Sequence, residues 1–370
     1  MKICYLGNSS TPHIQRWLNH FAEEGHNVHL LSFEKRNFKG VTLHPLTSKI
    51  FNSKLRYLLA VKEVKNLLKE IKPDILNAHY LTGYGLLGAL SGFKPFIASA
   101  WGSDVLIAPK KSVLSKWAVK YVVQKADIIT TESKMVADVL IQNLRADPHK
   151  IRTFPWGINC DLFKVGYEGG VERLRERLKI NKGLPIILSN RSMRPLYRID
   201  IIVDAAAKVL QQKKALFIFL KGDGLVKCER AVKLKAKRLG IEESSCFISE
   251  FLNQKEMVIL ANLADIIVSI PNSDAFPISV AEGMACGAIP IVSDLEVNRE
   301  IIKDGENGFV LPGGDSVILA EKILYILEKM VEFKEKIIPL NIDYVQKNLN
   351  WRDSTKKMEA VYKEAIKRMI

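Results

Sequence analysis

The sequence predicts an α/β fold made of two Rossmann-like, doubly wound domains that face each other across a cleft. Short apolar strands alternate with helical segments along the chain, and this alternation stops once and restarts near residue 185. A length of 370 residues also exceeds the usual size of a single core. We expect parallel sheets, because strand–helix–strand units need crossover helices.

The first half of the chain starts with an apolar strand at residues 2–7, which runs into a turn ending at Pro12. From His13 onwards apolar residues recur at helical spacing, and Gly25 ends this helix. Four more strands are predicted at residues 28–32, 74–79, 96–100 and 127–131. We therefore place a first domain at residues 1–160.

A turn cluster at residues 155–159 and flexible residues at 166–170 separate the two halves, and a helix is predicted at 171–178. The strands of the second half are predicted at residues 185–189, 216–220, 246–248, 265–269 and 289–292. We place the second domain at 161–350. A last helix, residues 351–370, follows it.

The composition is that of an ordinary soluble globular protein, with 48% apolar and 26% charged residues. No apolar run of about eighteen residues occurs, the N-terminus does not resemble a signal peptide, and the five cysteines are dispersed. We expect a cytoplasmic protein with reduced thiols.

The net charge of +15 attracts anions in general and does not indicate which kind of anion is bound. The aromatic and basic strips of single-strand binders are absent, so we expect no nucleic-acid partner.

Two carboxylates, Asp274 and Glu282, stand eight positions apart with an aromatic–proline turn between them. Glu282 is predicted just inside a helix of small residues. The free N–H groups and partial positive charge of a helix start suit a diphosphate. The two carboxylates can accept hydrogen bonds from hydroxyl groups on either side of it, such as those of a sugar and a ribose.

This pattern resembles the E-x7-E signature of the retaining glycosyltransferases of family four (glycosyl transferases group 1), which have the GT-B fold. The first Glu of the signature is Asp274 here, and the resemblance extends from the first glycine loop to Asn350–Trp351. It implies transfer of a sugar from a nucleoside diphosphate to a sugar or lipid-linked acceptor, in cell-surface polysaccharide or glycan assembly. It also implies that the last helix packs back on the first domain.

The resemblance assigns the donor side to charged residues of the second domain. Arg191 matches the arginine that holds the diphosphate, since a planar guanidinium can take two phosphate oxygens. The family's lysine falls on Tyr197 or Arg198; we favour Arg198 as the second cation, with Arg194 as its rival. Asp274 would contact hydroxyls of the transferred sugar, and Glu282 would hold the ribose.

Two glycines, Gly222 and Gly224, follow a strand and allow a ligand to approach closely. They do not extend to G-x-G-x-x-G, which argues against a dinucleotide oxidoreductase. The resemblance adds further donor-binding residues: Gly7, Phe251, Phe276, Pro277 and Ile278.

On the acceptor side, His79 ends a predicted strand. In the family a histidine at this place faces the reacting sugar, and a neutral imidazole can donate a hydrogen bond to a hydroxyl. Trp101 stands where the family often has a second histidine. Trp101 and Asp104 are therefore our candidates for the acceptor pocket.

No general base stands out, and no D-x-D-like acidic pair follows a strand of the first domain. We expect no metal and no cofactor besides the nucleotide-sugar, with catalysis by positioning and stabilisation of the leaving group.

Basic amphipathic segments at residues 53–71 and 110–121 suit peripheral contact with an anionic membrane at its inner face, and equally the outer helices of such domains. Two other functions stay open at this point: a nucleotide-sugar epimerase of the same fold, and a basic, non-catalytic binding module.

Overall fold

The computed structural model describes residues 1–47 and 55–369 of the chain. Their contacts divide the chain into two compact units, Met1–Trp156 with Arg352–Ile370, and Gly157–Trp351. Each unit is a parallel sheet flanked by helices, so the predicted α/β fold with two Rossmann-like domains is confirmed. Within the described residues, no helix has the length and apolar character needed to cross a membrane.

The first unit is built on a parallel sheet. Its strands are β1 (Lys2–Leu6), β2 (Asn27–Ser32), β3 (Val41–Pro45), β4 (Ile75–His79), β5 (Phe96–Ser99), β6 (Ile128–Thr131) and β7 (Ile151–Thr153). Its helices in chain order are α1 (Pro12–Glu23), α2 (Leu55–Leu59), α3 (Val61–Ile71), α4 (Leu86–Ser91), α5 (Ala108–Lys111), α6 (Val113–Lys125) and α7 (Lys134–Leu144). π-Helical turns at Leu81–Gly85 and Ser103–Ile107 precede α4 and α5.

The strands of this unit follow the order β3-β2-β1-β4-β5-β6-β7. The order reverses between β1 and β4, and Ile3 of β1 pairs with Val28 on one side and Ile75 on the other. Ile3–Leu6 is fully buried, as expected for a parallel strand that is covered on both faces. The carboxyl ends of β1 and β4 therefore border the crevice in which such sheets bind their ligands.

The second unit repeats this plan. Its strands are β8 (Ile186–Ser189), β9 (Leu216–Leu220), β10 (Ser245–Ile248), β11 (Ile266–Ser269), β12 (Ile289–Ser293) and β13 (Phe309–Leu311). Its helices are α8 (Glu168–Arg177), α9 (Ile199–Leu210), α10 (Val226–Arg238), α11 (Gln254–Leu263), α12 (Ile278–Ala285), α13 (Glu296–Arg299), α14 (Ser316–Glu328) and α15 (Met330–Asn348).

Its strand order is β10-β9-β8-β11-β12-β13, so the reversal lies between β8 and β11. Successive side chains of a strand point to opposite faces. Ile187 accordingly belongs to the apolar cluster on one face of the sheet, and the next residue, Leu188, to the cluster on the other. Both faces of the sheet are thus covered by apolar packing. As in the first unit, the carboxyl ends of the strands are where a ligand is expected to bind.

The last helix, α16 (Trp351–Lys367), completes the core of the first unit. The hydroxyl of its Tyr362 is hydrogen-bonded to that of Tyr5 at 2.8 Å and accepts a hydrogen bond from the Asn77 amide at 2.7 Å. These polar groups are buried, and the bonds satisfy them.

The structure differs from the sequence-based expectation in the edge strands and in α8. Strands β3, β7 and β13 were not predicted. The helix α8 begins at Glu168, three residues before the predicted start, and includes glycines that were assigned to a flexible stretch. A Cβ on Gly170 would lie 3.1 Å from Cγ1 of Ile259, so this glycine allows α8 to approach α11 closely.

Candidate functional site

The sequence-predicted residues collect at the strand reversal of each unit. In the first unit Gly7 follows β1 and His79 ends β4. In the second unit Arg191 follows β8 and Asp274 follows β11. Because ligands of doubly wound sheets bind at this point, both groups lie where a substrate is expected.

Arg191 and Asp274 form an ion pair in the second unit. Nη2 of Arg191 lies 3.0 Å from Oδ2 of Asp274, and the two side chains are 11% and 13% exposed. Nη1 of Arg191 donates to Oγ of Ser279 at 3.0 Å. The guanidinium also lies over the face of the Tyr197 ring, with Cζ 4.3 Å from the ring centre, a cation–π contact. Three neighbouring side chains therefore fix the guanidinium of Arg191. We call Arg191, Asp274 and Ser279 the arginine cluster.

Burial dominates the electrostatics of Asp274. It raises the pKa of this carboxyl, while the adjacent Arg191 opposes the rise. The Ala275 N–H also donates to Oδ1 at 3.0 Å and favours the charged form. The ionisation of Asp274 thus depends on its arginine partner.

The turn between the two predicted carboxylates is fixed by backbone bonds. The Ile278 N–H donates to the Phe276 carbonyl at 3.0 Å, and Phe276 and Pro277 are buried. The Asn190 amide donates to the carbonyl of Ser279 at 3.1 Å, which joins the loop after β8 to the start of α12. Sequence reasoning missed Ser279, although it stands inside the carboxylate pattern.

Glu282 was expected close to the start of its helix. Because α12 begins at Ile278, Glu282 lies one turn inside it, and its side chain is half-buried. Its carboxylate therefore projects from the second turn of α12, beyond the residues that carry the free N–H groups of the helix start.

The two candidates for the second cation have different surroundings. Nη2 of Arg194 forms an ion pair with Asp223 at 2.8 Å. Arg198 has a left-handed backbone, with φ of 52°, and its Nη1 donates a long 3.4 Å bond to the carbonyl of Gly313. Arg194 is engaged by a carboxylate, whereas Arg198 faces the loop that follows β13.

The glycines after β9 allow that loop to touch the loop after β8. A Cβ on Gly224 would lie 2.6 Å from N of Met193, and Gly222 has a left-handed φ of 55°. Phe251, also predicted to bind the donor, follows β10 at the edge of the sheet and is 82% exposed. The structure brings the glycines beside the loop that carries Arg191, and leaves Phe251 open to solvent.

In the first unit His79 is fully buried and neutral. Burial, with a smaller contribution from the neighbouring His13, lowers its pKa to about 3. Nε1–H of Trp101 donates to Nδ1 of His79 at 3.1 Å, so Nε2 carries the proton. Among the residues that the structure describes, Nε2 of His79 has no hydrogen-bond partner. His79 therefore offers an unused N–H donor.

Aromatic rings surround this histidine. The rings of Trp101 and Trp156 lie edge-on to it, with centres 5.9 Å and 5.8 Å away. The two indoles are themselves 5.6 Å apart. Trp156 was assigned only to the turn cluster between the domains, and its contact with His79 could not be predicted from its position in the chain.

Asp104 lies inside the first unit and shapes the turn that carries Trp101. It is fully buried, and its carboxylate accepts the N–H of Leu81 at 2.7 Å and that of Trp101 at 3.0 Å. Burial outweighs these hydrogen bonds, which favour the charged form, and the pKa of Asp104 rises to about 6. Gly7 is equally confined, since a Cβ there would lie 2.0 Å from Cδ1 of Ile14.

In residues 1–47 and 55–369 no group of three or more His, Cys, Asp or Glu side chains is arranged to hold a metal ion.

Comparison with known families gives two matches. The family model described as "Glycosyl transferase 4-like" matches residues 2–133, and that described as "Glycosyl transferases group 1" matches residues 170–339.

Relatives match over most of the chain. An uncharacterised glycosyltransferase of Methanocaldococcus jannaschii is 26% identical over 97% of this chain and 95% of its own length. The putative glycosyltransferase EpsD of Bacillus subtilis is 25% identical over 84% of this chain and 82% of its own. HepE of Anabaena, solved with UDP-glucose, superposes with a TM-score of 0.84 at 18% identity, covering 98% of this chain and all of that one, a likeness of fold.

Proposed function

Because the chain belongs to the group 1 glycosyl transferases with the GT-B fold, we propose that it transfers a sugar from a nucleoside diphosphate to a sugar or lipid-linked acceptor. The chain is a glycosyltransferase, and neither the epimerase nor the non-catalytic binding module is favoured. We further propose a uridine diphosphate sugar as donor, retention of the anomeric configuration, and a role in cell-surface glycan assembly. The UDP-glucose bound by the structural neighbour HepE supports the choice of nucleotide.

The arginine cluster carries the proposal. Arg191 is already bound to Asp274 and Ser279, so its position beside the departing diphosphate costs little reorganisation. Its charge becomes more favourable as negative charge develops on the leaving group. Asp274, bound to the same guanidinium, accepts hydrogen bonds from hydroxyl groups of the transferred sugar. One pair thus links the diphosphate to the sugar and fixes the geometry between them.

Two further residues complete the proposed donor site. Arg198 provides the second positive charge, since its contact with the Gly313 carbonyl is long and an arginine has further N–H groups to offer. Glu282, which lies within α12, accepts hydrogen bonds from the ribose hydroxyls. The backbone of the turn from Phe276 to Ile278 lies between Asp274 and Glu282 in the chain and contacts the sugar and the phosphates.

His79 is proposed to donate its Nε2–H to a hydroxyl of the transferred sugar. A buried donor without a partner costs about 1–3 kcal/mol, and a sugar hydroxyl would remove this cost on binding. The Trp101 bond to Nδ1 holds the tautomer that makes this possible. His79 acts here as a neutral donor and not as a base, because its pKa of about 3 leaves it unprotonated at Nδ1 near neutral pH.

The acceptor proton is proposed to leave with the diphosphate. The acceptor hydroxyl attacks the anomeric carbon on the face from which the diphosphate departs, and a departing phosphate oxygen takes its proton. The residues of the chain hold the reactants and stabilise charge, and no protein base and no metal is required.

Contact with an anionic membrane surface is a second proposal. In α6 Val113, Leu114 and Trp117 are 84%, 78% and 55% exposed, and Lys116 and Lys120 lie among them. An exposed apolar and basic helix suits the surface of an anionic bilayer. The other predicted segment, residues 53–71, lies outside the described residues at positions 53 and 54.

Co-sedimentation with anionic vesicles tests the membrane proposal. The variant V113S/L114S/W117S should bind less than wild type, whereas Val226→Ser, an exposed position of the second unit, should not change binding. Equal binding of the triple variant would contradict it.

Proton NMR of the sugar released from UDP-glucose, or joined to an acceptor, tests the transfer itself. With excess EDTA present, we expect the first-formed product to be the α-anomer. A β-anomer would contradict retention, and a requirement for added metal would contradict the metal-free reaction.

A further inference from the structure

A cavity of about 160 Å³ opens in the second unit between α8 and α11, and none of its lining residues belongs to the arginine cluster. Its apolar wall comes from the two helices and from the residues around the end of β10. Gly170 lies at the same place, where α8 approaches α11 closely. The apolar side chains that line the cavity are Leu174, Ile248, Leu252, Ile259 and Leu260.

Two arginines of α8 bring positive charge to this cavity. Arg173 and Arg177 line it from one face of α8, one turn apart, and both are exposed. Within residues 1–47 and 55–369, neither forms an ion pair. Glu256 also lines the cavity, but its carboxylate accepts the Asn253 N–H at 2.8 Å in the cap of α11. The lining thus combines an apolar wall with an excess of positive charge.

We propose that this cavity binds a small amphiphilic anion, namely a single ring or a short branched apolar group that carries a phosphate or a carboxylate. The size is suitable, since an apolar cavity of roughly 150 Å³ can hold a benzene molecule. The apolar wall removes the ring from water, and the paired guanidinium groups give charge-assisted hydrogen bonds to the anion. Neither half of such a ligand should bind well alone.

Calorimetric titration of the full chain with phenyl phosphate tests this site, with benzyl alcohol and inorganic phosphate as the two half-ligands. We expect phenyl phosphate to have a Kd at least tenfold lower than either. The variant R173Q/R177Q should raise that Kd at least tenfold. Arg175→Gln is the matched control, because it lies on the same helix, does not line the cavity and bonds to the Asn181 carbonyl. It should leave the Kd unchanged.

Two further variants separate this site from the proposed donor site and from a surface effect. Arg191→Ala should retain phenyl phosphate binding, and Ile259→Trp, which fills the cavity, should lose it while far-UV circular dichroism shows an intact fold. An unchanged Kd in R173Q/R177Q or Ile259→Trp would overturn the proposal. So would equal affinity for benzyl alcohol, or loss of binding in Arg191→Ala. None of these outcomes depends on whether the chain binds a nucleotide.

Discussion

The guanidinium of Arg191 and the carboxylate of Asp274 lie 3.0 Å apart, each attached to the loop that follows one of two neighbouring strands. Strands β8 and β11 meet where the strand order reverses, so the fold of the second unit itself brings the pair together. The residue assigned to the diphosphate and the residue assigned to the sugar are thus paired with each other. The pair has consequences for stability as well as for binding.

The first prediction concerns the stability of this pair. Arg191→Met or Asp274→Asn alone should lower the free energy of unfolding by several kcal/mol, roughly the 3–5 kcal/mol that a broken buried pair costs. The double variant should lose less than the sum, because no unpaired charge then remains. Urea unfolding of the four proteins measures this coupling. Additive losses would show that the two residues do not interact.

The second prediction distinguishes the two candidate cations. Arg198→Gln should weaken UDP binding about tenfold or more, the usual scale of a lost charge-assisted hydrogen bond. Arg194→Gln should change it little, because Asp223 already engages that guanidinium. Calorimetric titration with UDP gives both affinities. The reverse ranking would assign the second cation to Arg194.

The third prediction tests Glu282 as the ribose ligand. Wild type should bind UDP more tightly than 2′-deoxy-UDP, since the deoxy compound lacks a hydroxyl that the carboxylate accepts. Glu282→Gln should reduce this ratio towards one and should weaken UDP more than the deoxy compound. A ratio that survives the substitution would place the ribose elsewhere.

The fourth prediction follows from the lowered pKa of His79. Its pKa is about 3 in the folded chain against 6.5 ordinarily, so the unfolded chain binds the extra proton between these values. Stability must therefore fall as the pH decreases from about 6.5 towards 3, by about 1.4 kcal/mol per pH unit from this group. Between pH 7 and pH 4 the free energy of unfolding should fall by this additional amount in wild type but not in His79→Gln. Urea unfolding at both pH values measures the difference. Parallel pH profiles would contradict a buried, neutral His79.

Much of the fold could be predicted because its signals are local. Strands such as β1 and β11 are apolar and buried on both faces, and β1 is followed by α1, a helix of clear periodicity. The missed strands lack that signal. In β3 the burial pattern is mixed and half-exposed, while β7 and β13 have three residues each. Such strands are defined by the neighbour they pair with, which the chain does not display locally.

In the candidate site, too, some features could be predicted from the sequence and others could not. The positions of Arg191 and Asp274 after neighbouring strands follow from topology, so the sequence could bring them to one edge. Their direct ion pair, the Tyr197 ring on the guanidinium and the packing of Trp156 on His79 depend on side-chain geometry between distant segments. Asp104 shows the limit most clearly, because a polar residue beside a predicted pocket proves to be a buried acceptor of backbone N–H groups.

Calorimetric titration of UDP into wild type and into Arg191→Ala, both with excess EDTA, tests the proposed donor site most directly. We predict that wild type binds UDP without metal and that the variant binds it at least tenfold more weakly, with circular dichroism confirming that it remains folded. Failure of wild type to bind any nucleoside diphosphate at millimolar concentration would contradict the proposed function. Equal affinity of wild type and variant would contradict the assignment of the diphosphate to Arg191.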